Sequence, residues 1–219
     1  MLLFDPTLEA FIAVGIIILV AFPIHEFTHA LAAFQLGDST ARLFGRLTID
    51  PRAHIDPIGA ILLLLAGFGW AKPTPVNPFN LRGGRSGEAL VAAAGPLSNL
   101  ILAAAAALPL RYIVASGMEI PSVIHNTLVI LVSLNLLLMV FNLIPIPPLD
   151  GSKVLFAALD RETEYRIRPV LEQYGFLILL AAVFLPILPG GQTLVGAVVG
   201  EVLDPLYELL VGEQRFLVR

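Results

Sequence analysis

Residues Ala10 to Leu36 read AFIAVGIIILVAFPIHEFTHALAAFQL, 27 residues in which Glu26 is the only Asp, Glu, Lys or Arg and two histidines, His25 and His29, stand beside it. A helix needs about 20 mostly apolar residues to cross a bilayer. This stretch is long enough, and its few polar groups are gathered at one end. Residues Ala89 to Leu110 and Val123 to Ile144 are further spans, and Phe176 to Leu188 is a shorter one that its neighbours can extend. Leu194 to Val211 carries Glu201, Asp204, Pro205 and Glu208, which suits a helix in the interface rather than a crossing.

Composition agrees. Of 219 residues, 57% are hydrophobic and 14% charged, against about 25% charged and roughly 45–50% apolar in soluble domains. Mean hydropathy is +0.87. A net charge of −4 gives no basic footprint for nucleic acid. With no cysteine, disulfide frameworks and thiolate metal sites are excluded. The flank of the first span holds Asp5 and Glu9 and no basic residue, unlike a secretory signal peptide. No linker or solenoid repeat divides the chain, so one membrane-embedded domain over residues 1–219 is expected.

The run Ile58 to Trp70 has 13 residues, with Gly59, Gly67 and Gly69 inside it and Lys72-Pro73-Thr74-Pro75 after it. Basic residues gather in cytoplasmic connections, and they decide whether this run crosses. If it does not, twelve of the 13 Lys and Arg fall on one side, including six between residues 37 and 86, four between 145 and 175, and Arg215 and Arg219 in the tail; Arg111 alone falls on the other. If it crosses, the group of six splits three and three. The run therefore reads as re-entrant, with the N-terminus outside. Arg46 to Asp50 alternates polar and apolar, which predicts a short strand. Lys153 to Gln173 reads as an amphipathic helix on the cytoplasmic surface. The expected fold is thus an all-α polytopic membrane protein with four to five transmembrane helices and a small embedded β or re-entrant segment over about 40–80.

His25-Glu26-Phe27-Thr28-His29 is H-E-x-x-H. Residues four apart share a helix face, so both imidazoles reach one metal ion, and zinc suits them. Glu26 can take a proton from the water on such a metal and pass it to a leaving amine. Ionisable groups inside a span are costly and mark function; the alternative is a buried, hydrogen-bonded cluster joining two helices. Catalytic zinc takes three protein ligands and keeps one position open. His25 lies 15 residues, about 22 Å, along the helix from Ala10, in the inner leaflet. His125 sits at the outer end of its span, whereas Asp150 follows the inner end of that span. The stretch Ile144-Pro145-Ile146-Pro147-Pro148-Leu149-Asp150-Gly151 cannot be regular helix, and irregular backbone at membrane depth is covered by protein or lines a wet cavity. By spacing alone, Asp150 is equally a ligand or a turn carboxylate, as Asp-Gly often is.

Four pieces in this order resemble the site-2 protease family of intramembrane zinc metalloproteases. They are His25 to His29, Gly69 to Pro78 (GWAKPTPVNP), Ala94 to Asn99 (AGPLSN) and Asn142 to Gly151 (NLIPIPPLDG). The resemblance implies a third zinc ligand at Asp150 and a role for Asn142 in holding substrate or the oxyanion; an interhelical hydrogen bond is the other reading of Asn142. It also implies an embedded sheet between the first motif and the next span. A catalytic core over about 10–151 with C-terminal helices over about 153–211 is expected, in a compact form that departs from larger relatives in that no inserted region is long enough to resemble a PDZ or CBS domain. His54 is expected to fix a loop or support the site rather than ligate, and Asn99 to pack helices.

The reading that follows is a zinc endopeptidase, with one Zn2+ held by His25, His29 and Asp150, Glu26 as general base, and membrane-spanning protein or peptide substrates. Its active site is expected near the cytoplasmic face of the cell membrane. A helix hides its carbonyls, so substrate must unwind, and the Arg46–Asp50 strand could pair with it. Rival readings are a non-catalytic membrane scaffold, which would have lost Glu26 or a ligand, and a metal-ion transporter. The latter would need a polar path to both faces, but the outer halves of the spans offer little beyond Asn126, Thr127 and Ser133.

Overall fold

The computed structural model describes residues 7–66 and 69–213; Gly67, Arg215 and Arg219 lie outside them. Four helices are long and apolar enough to cross a membrane: α1 (Leu8–Gln35), α3 (Arg85–Ser116), α4 (Ser122–Asn142) and α6 (Arg161–Phe184). Shorter helices are α2 (Pro57–Ala66), α5 (Gly151–Ala158) and α7 (Leu194–Val211). The protein is an all-α polytopic membrane protein.

Each helix has a local cause. Thr7 caps α1 by accepting from the Ala10 N–H. Gly117 ends α3 in the left-handed conformation that costs glycine nothing. Within α1, residues Ile17–Ala21 form a π-helical turn immediately before Pro23. Proline has no N–H to donate, and its ring crowds the carbonyl four residues back. The widened turn absorbs that defect and leaves the helix continuous through His25 and His29.

Helix α3 is the hub, packed against α1, α4, α5 and α7. Ala103 and Ala107 on α3 are fully or almost fully buried against Val132, Leu136 and Val140 of α4 and Val199, Leu203 and Tyr207 of α7. Small side chains let helices approach closely where lipid supplies no hydrophobic drive between them. Helix α7 lies lengthwise along this bundle and not across it. Val195 in its first turn packs with Ile144, Leu149 and Leu179, while Arg111, near the other end of α3, donates to the Leu209 carbonyl.

The segment between α1 and α3 re-enters as expected. The ten residues of α2 extend about 15 Å, half the hydrocarbon thickness. The chain then returns to where it started: Ile55 bridges Ala71, and Lys72 donates its N–H to the His54 carbonyl at 2.8 Å. The expected sheet does not form among the described residues; that bridge is isolated. Nor is Arg46–Asp50 a strand. The Arg46 side chain is buried at 6% exposure and donates to the carbonyls of Ala53, Lys72 and Pro73, and Asp50 accepts the Arg52 N–H to cap the turn Pro51–His54. The expected surface helix Lys153–Gln173 is also revised. Asp160 starts a new helix by accepting from the N–H groups of Glu162 and Thr163, so its charged residues run on into the apolar ones as the single helix α6.

Asp38 ties the two ends of this excursion together. Fully buried, it accepts from the Thr40 N–H and hydroxyl, the Asn77 N–H and the Asn80 amide, at 2.6–3.1 Å. Burial would raise its carboxyl, but the hydrogen bonds from Thr40, Asn77 and Asn80 outweigh that and hold it below its ordinary value. A depressed carboxyl contributes stability that is present above the unfolded pKa of about 3.9 and is lost as pH falls through the folded value. Asp38→Ala is therefore expected to destabilise the detergent-solubilised protein by about 3 kcal/mol at pH 7. It should also flatten the loss of thermal stability below about pH 4, read from unfolding curves of both forms.

Candidate metal centre

His25 and His29 stand one turn apart on α1 with their Nε2 atoms 3.0 Å from each other and their rings edge to face. Asp150 arrives from the proline-rich loop between α4 and α5, in which the Pro147–Pro148 peptide is cis. Its Oδ2 lies 3.4 Å from His25 Nε2 and 3.1 Å from His29 Nε2. All three residues are buried, and among the described residues they are the group of His and acidic side chains close enough to share an ion.

Hydrogen bonds on the far side of each ring decide which nitrogen faces inward. His25 Nδ1 is 2.6 Å from Asn99 Oδ1, and His29 Nδ1 is 2.7 Å from the Val91 carbonyl. Both partners are acceptors, so each Nδ1 carries the proton and each Nε2 presents a lone pair. Two imidazole lone pairs and a carboxylate oxygen then point at one spot with no hydrogen between them, an arrangement that a cation relieves. The separations of 3.0, 3.1 and 3.4 Å match the roughly 3.3 Å expected between tetrahedral ligands held about 2.0–2.1 Å from zinc. The donor set therefore fits zinc. Asp150 would hold the ion as a carboxylate, since a ligand must be deprotonated.

Helix α3 frames the site on its third side. A Cβ placed on Gly95 would stand 2.4 Å from His29 Nε2 and 2.5 Å from His25 Nε2, so only glycine allows the backbone this close. One turn on, Asn99 accepts from His25 and donates to Asn135 Oδ1 of α4 at 3.3 Å, and Asn135 donates to the Leu131 carbonyl at 2.9 Å. Asn99 joins the two helices as expected, and beyond that expectation its Oδ1 sets the tautomer of His25. The signal available in the sequence was an amide in an apolar helix, which does not say what it bonds.

Glu26 follows His25 and opens onto the same cavity of about 550 Å³, whose wall is largely apolar, with Phe22, Trp70, Phe141 and Leu179 among its lining. Its Oε2 accepts the Thr74 N–H at 2.7 Å, and its carbonyl accepts the Thr74 hydroxyl at 3.0 Å. Asn142 also lines the cavity, but its amide donates to the Leu138 carbonyl of its own helix at 2.9 Å. His54 is fully buried and bonds the Thr48 carbonyl at 2.7 Å, a loop-fixing role. His125 joins neither the cavity nor the trio.

The family model described as "Peptidase family M50" matches residues 109–182, which include Asp150 and Asn142. A protein of Bacillus subtilis described as "Putative zinc metalloprotease YwhC" is 41% identical over 78% of this chain and 80% of its own length. Proteins described as "Putative zinc metalloprotease Rip2" from Mycobacterium tuberculosis and Mycolicibacterium smegmatis are 33% and 31% identical, over 78% and 75% of this chain and 66% and 64% of theirs. No solved structure matches significantly.

Asn99→Leu removes the acceptor that orients His25 while keeping the volume of the helix contact. Loss of such a supporting bond costs about 10- to 100-fold in metal affinity. A chelator-competition titration of the detergent-purified variant is expected to show a drop in that range with helical content unchanged.

Proposed function

The chain belongs to peptidase family M50, the family of the site-2 proteases, and on that footing we propose that it is a membrane-embedded zinc endopeptidase that cuts the backbone of membrane-spanning substrates. The observation that carries this reading is the convergence of three buried lone-pair donors and a separate carboxylate, Glu26, on one cavity.

His25, His29 and Asp150 would hold the zinc. When bound, zinc supplies a Lewis acid that polarises the substrate carbonyl and makes a water acidic enough to attack near pH 7. Glu26 takes the proton of the attacking water and returns it to the leaving amine. The apolar wall holds an apolar side chain beside the scissile bond and limits free water. A substrate helix must unwind to expose a carbonyl. Arg46–Asp50 is not a strand, so it offers no edge for the unwound substrate to join. Asn142 serves the oxyanion or the substrate backbone if its amide leaves the Leu138 carbonyl.

The charge distribution supports an orientation with the N-terminus outside and the metal near the cytoplasmic face of the cell membrane. Since the chain has no cysteine, single replacements report topology directly. In intact cells, Glu119→Cys, in the exposed connection after α3, is expected to react with a membrane-impermeant maleimide. Arg161→Cys is expected to react only after the cells are opened. The reverse pattern overturns the orientation.

Glu26→Gln tests the chemistry. The variant should keep its zinc, measured by elemental analysis, and lose about 10²- to 10⁴-fold in cleavage. Mass spectrometry of new N-termini in membranes of cells expressing either form reads the loss and identifies substrates. Equal cleavage by the two forms would remove Glu26 from the mechanism.

A further inference from the structure

Pro73-Thr74-Pro75 offers one backbone donor in three residues. Proline has no N–H, so only Thr74 can give a main-chain hydrogen bond. Pro75 also disfavours the helical conformation at Thr74, and Pro73 does so at Lys72, so the stretch is extended before it makes any contact. In the structure the single donor goes to Glu26 Oε2, and the hydroxyl of the same residue goes to the Glu26 main-chain carbonyl. Both bonds land on one residue, which fixes the strap along α1 as well as toward it.

The other end of the strap is fixed as firmly. Lys72 donates to the His54 carbonyl, and Ala71 bridges Ile55. Arg46 aims its guanidinium at the carbonyls of Lys72 and Pro73 at 3.2 and 3.4 Å and at that of Ala53. A buried guanidinium satisfied by carbonyls holds backbone in place, since its planar fork demands fixed acceptors.

A carboxylate that relays a proton needs one oxygen held and the other free. An unanchored Glu beside a metal would also swing into the metal's open position. We propose that Thr74 is the positioning residue for Glu26: its main-chain N–H holds Oε2, leaves Oε1 to the attacking water, and keeps the carboxylate off the metal, with Arg46 and the flanking prolines setting the donor's place. This rests on the reading of Glu26 as the proton acceptor, and the experiment separates the two.

The first arm needs no activity. Hydrogen–deuterium exchange of the zinc-loaded wild type is expected to show the Thr74 amide protected, and Glu26→Ala to lose that protection at least tenfold with other loop amides unchanged. Equal exchange in the two forms overturns the proposal whatever the enzyme does. The second arm uses a substrate found by comparison with Glu26→Gln. Thr74→Pro, which removes the N–H from an already extended residue, is expected to lose about 10- to 100-fold in kcat, with KM and zinc content within about twofold. Thr74→Val keeps the N–H and loses only the hydroxyl, and its kcat should fall no more than about threefold. If both variants lose kcat equally, or if Thr74→Pro raises KM instead, the N–H is not what positions the base. Should Thr74→Pro fail to fold, Arg46→Lys replaces it: loss of the fork is expected to speed Thr74 exchange and lower kcat together. Either change without the other overturns the proposal. A substrate-free outcome, with Glu26→Gln indistinguishable from wild type but Thr74 protected by Glu26, removes the protease reading and leaves the clamp standing.

Discussion

Three electron pairs aimed at one point inside a membrane are the constraint on which this structure turns. Without a cation the arrangement is repulsive, and the low dielectric makes that repulsion large. Nor can the site escape by rotating a ring, because Asn99 and the Val91 carbonyl occupy the other nitrogens. Metal binding and local folding are therefore coupled, and much of the bundle holds the donors in place. The hub helix gives up a side chain at Gly95 so that both imidazoles fit. Across it, the Asn99–Asn135 pair links α3 to α4 and turns an interhelical hydrogen bond into control of the His25 ring.

The carboxylates are handled differently according to where they stand. Asp150 is delivered by a loop that cannot become helix, so its position is set by where α4 ends and α5 begins. At one end of the bundle, α6 is pinned to the start of α3 by a charge network. Glu164 meets Arg85 at 2.8 Å and Arg168 at 3.1 Å, while Arg168 also meets Glu172 at 2.8 Å and Glu88 at 3.3 Å. Single surface pairs contribute little, but several charges sharing one network are the case in which they matter. The apolar half of the same helix brings Phe176, Leu179 and Leu180 to the cavity. The ionic contact at one end thus sets how the wall stands at the other.

Of the trio that the structure brings together, the histidines were legible locally, since an i, i+4 pair needs only a helix. Asp150 was not: its spacing left it equally a ligand or a turn carboxylate, and only the family resemblance pointed to it. The spans, like the histidines, were legible locally to within a few residues, except at α6, where a charged stretch and an apolar stretch fuse because Asp160 caps both as one helix. What the sequence hid was partner choice. The alternation in Arg46–Asp50 is that of a strand, yet the Arg46 side chain found three carbonyls on backbone up to 27 residues away, and a pattern of period two carries no information about that. Asn99 and Thr74 were visible as residues, but their meaning lies in distances across 74 and 48 positions of chain.

Length explains why the re-entrant segment ends where it does. A run able to cross would have carried the chain to the far side and left Pro73-Thr74-Pro75 about 30 Å from the metal. Ten helical residues reach only partway, so the chain must turn and come back. The return stroke then passes α1 at the depth of the histidines, which is where Thr74 meets Glu26. The bridge between Ile55 and Ala71 closes the excursion at its base, and Asp38 joins its outer ends, holding Thr40 on one side and Asn77 and Asn80 on the other. A crossing helix in this position would have satisfied hydropathy equally well. It would have separated the Glu26 carboxylate from the backbone N–H that it accepts.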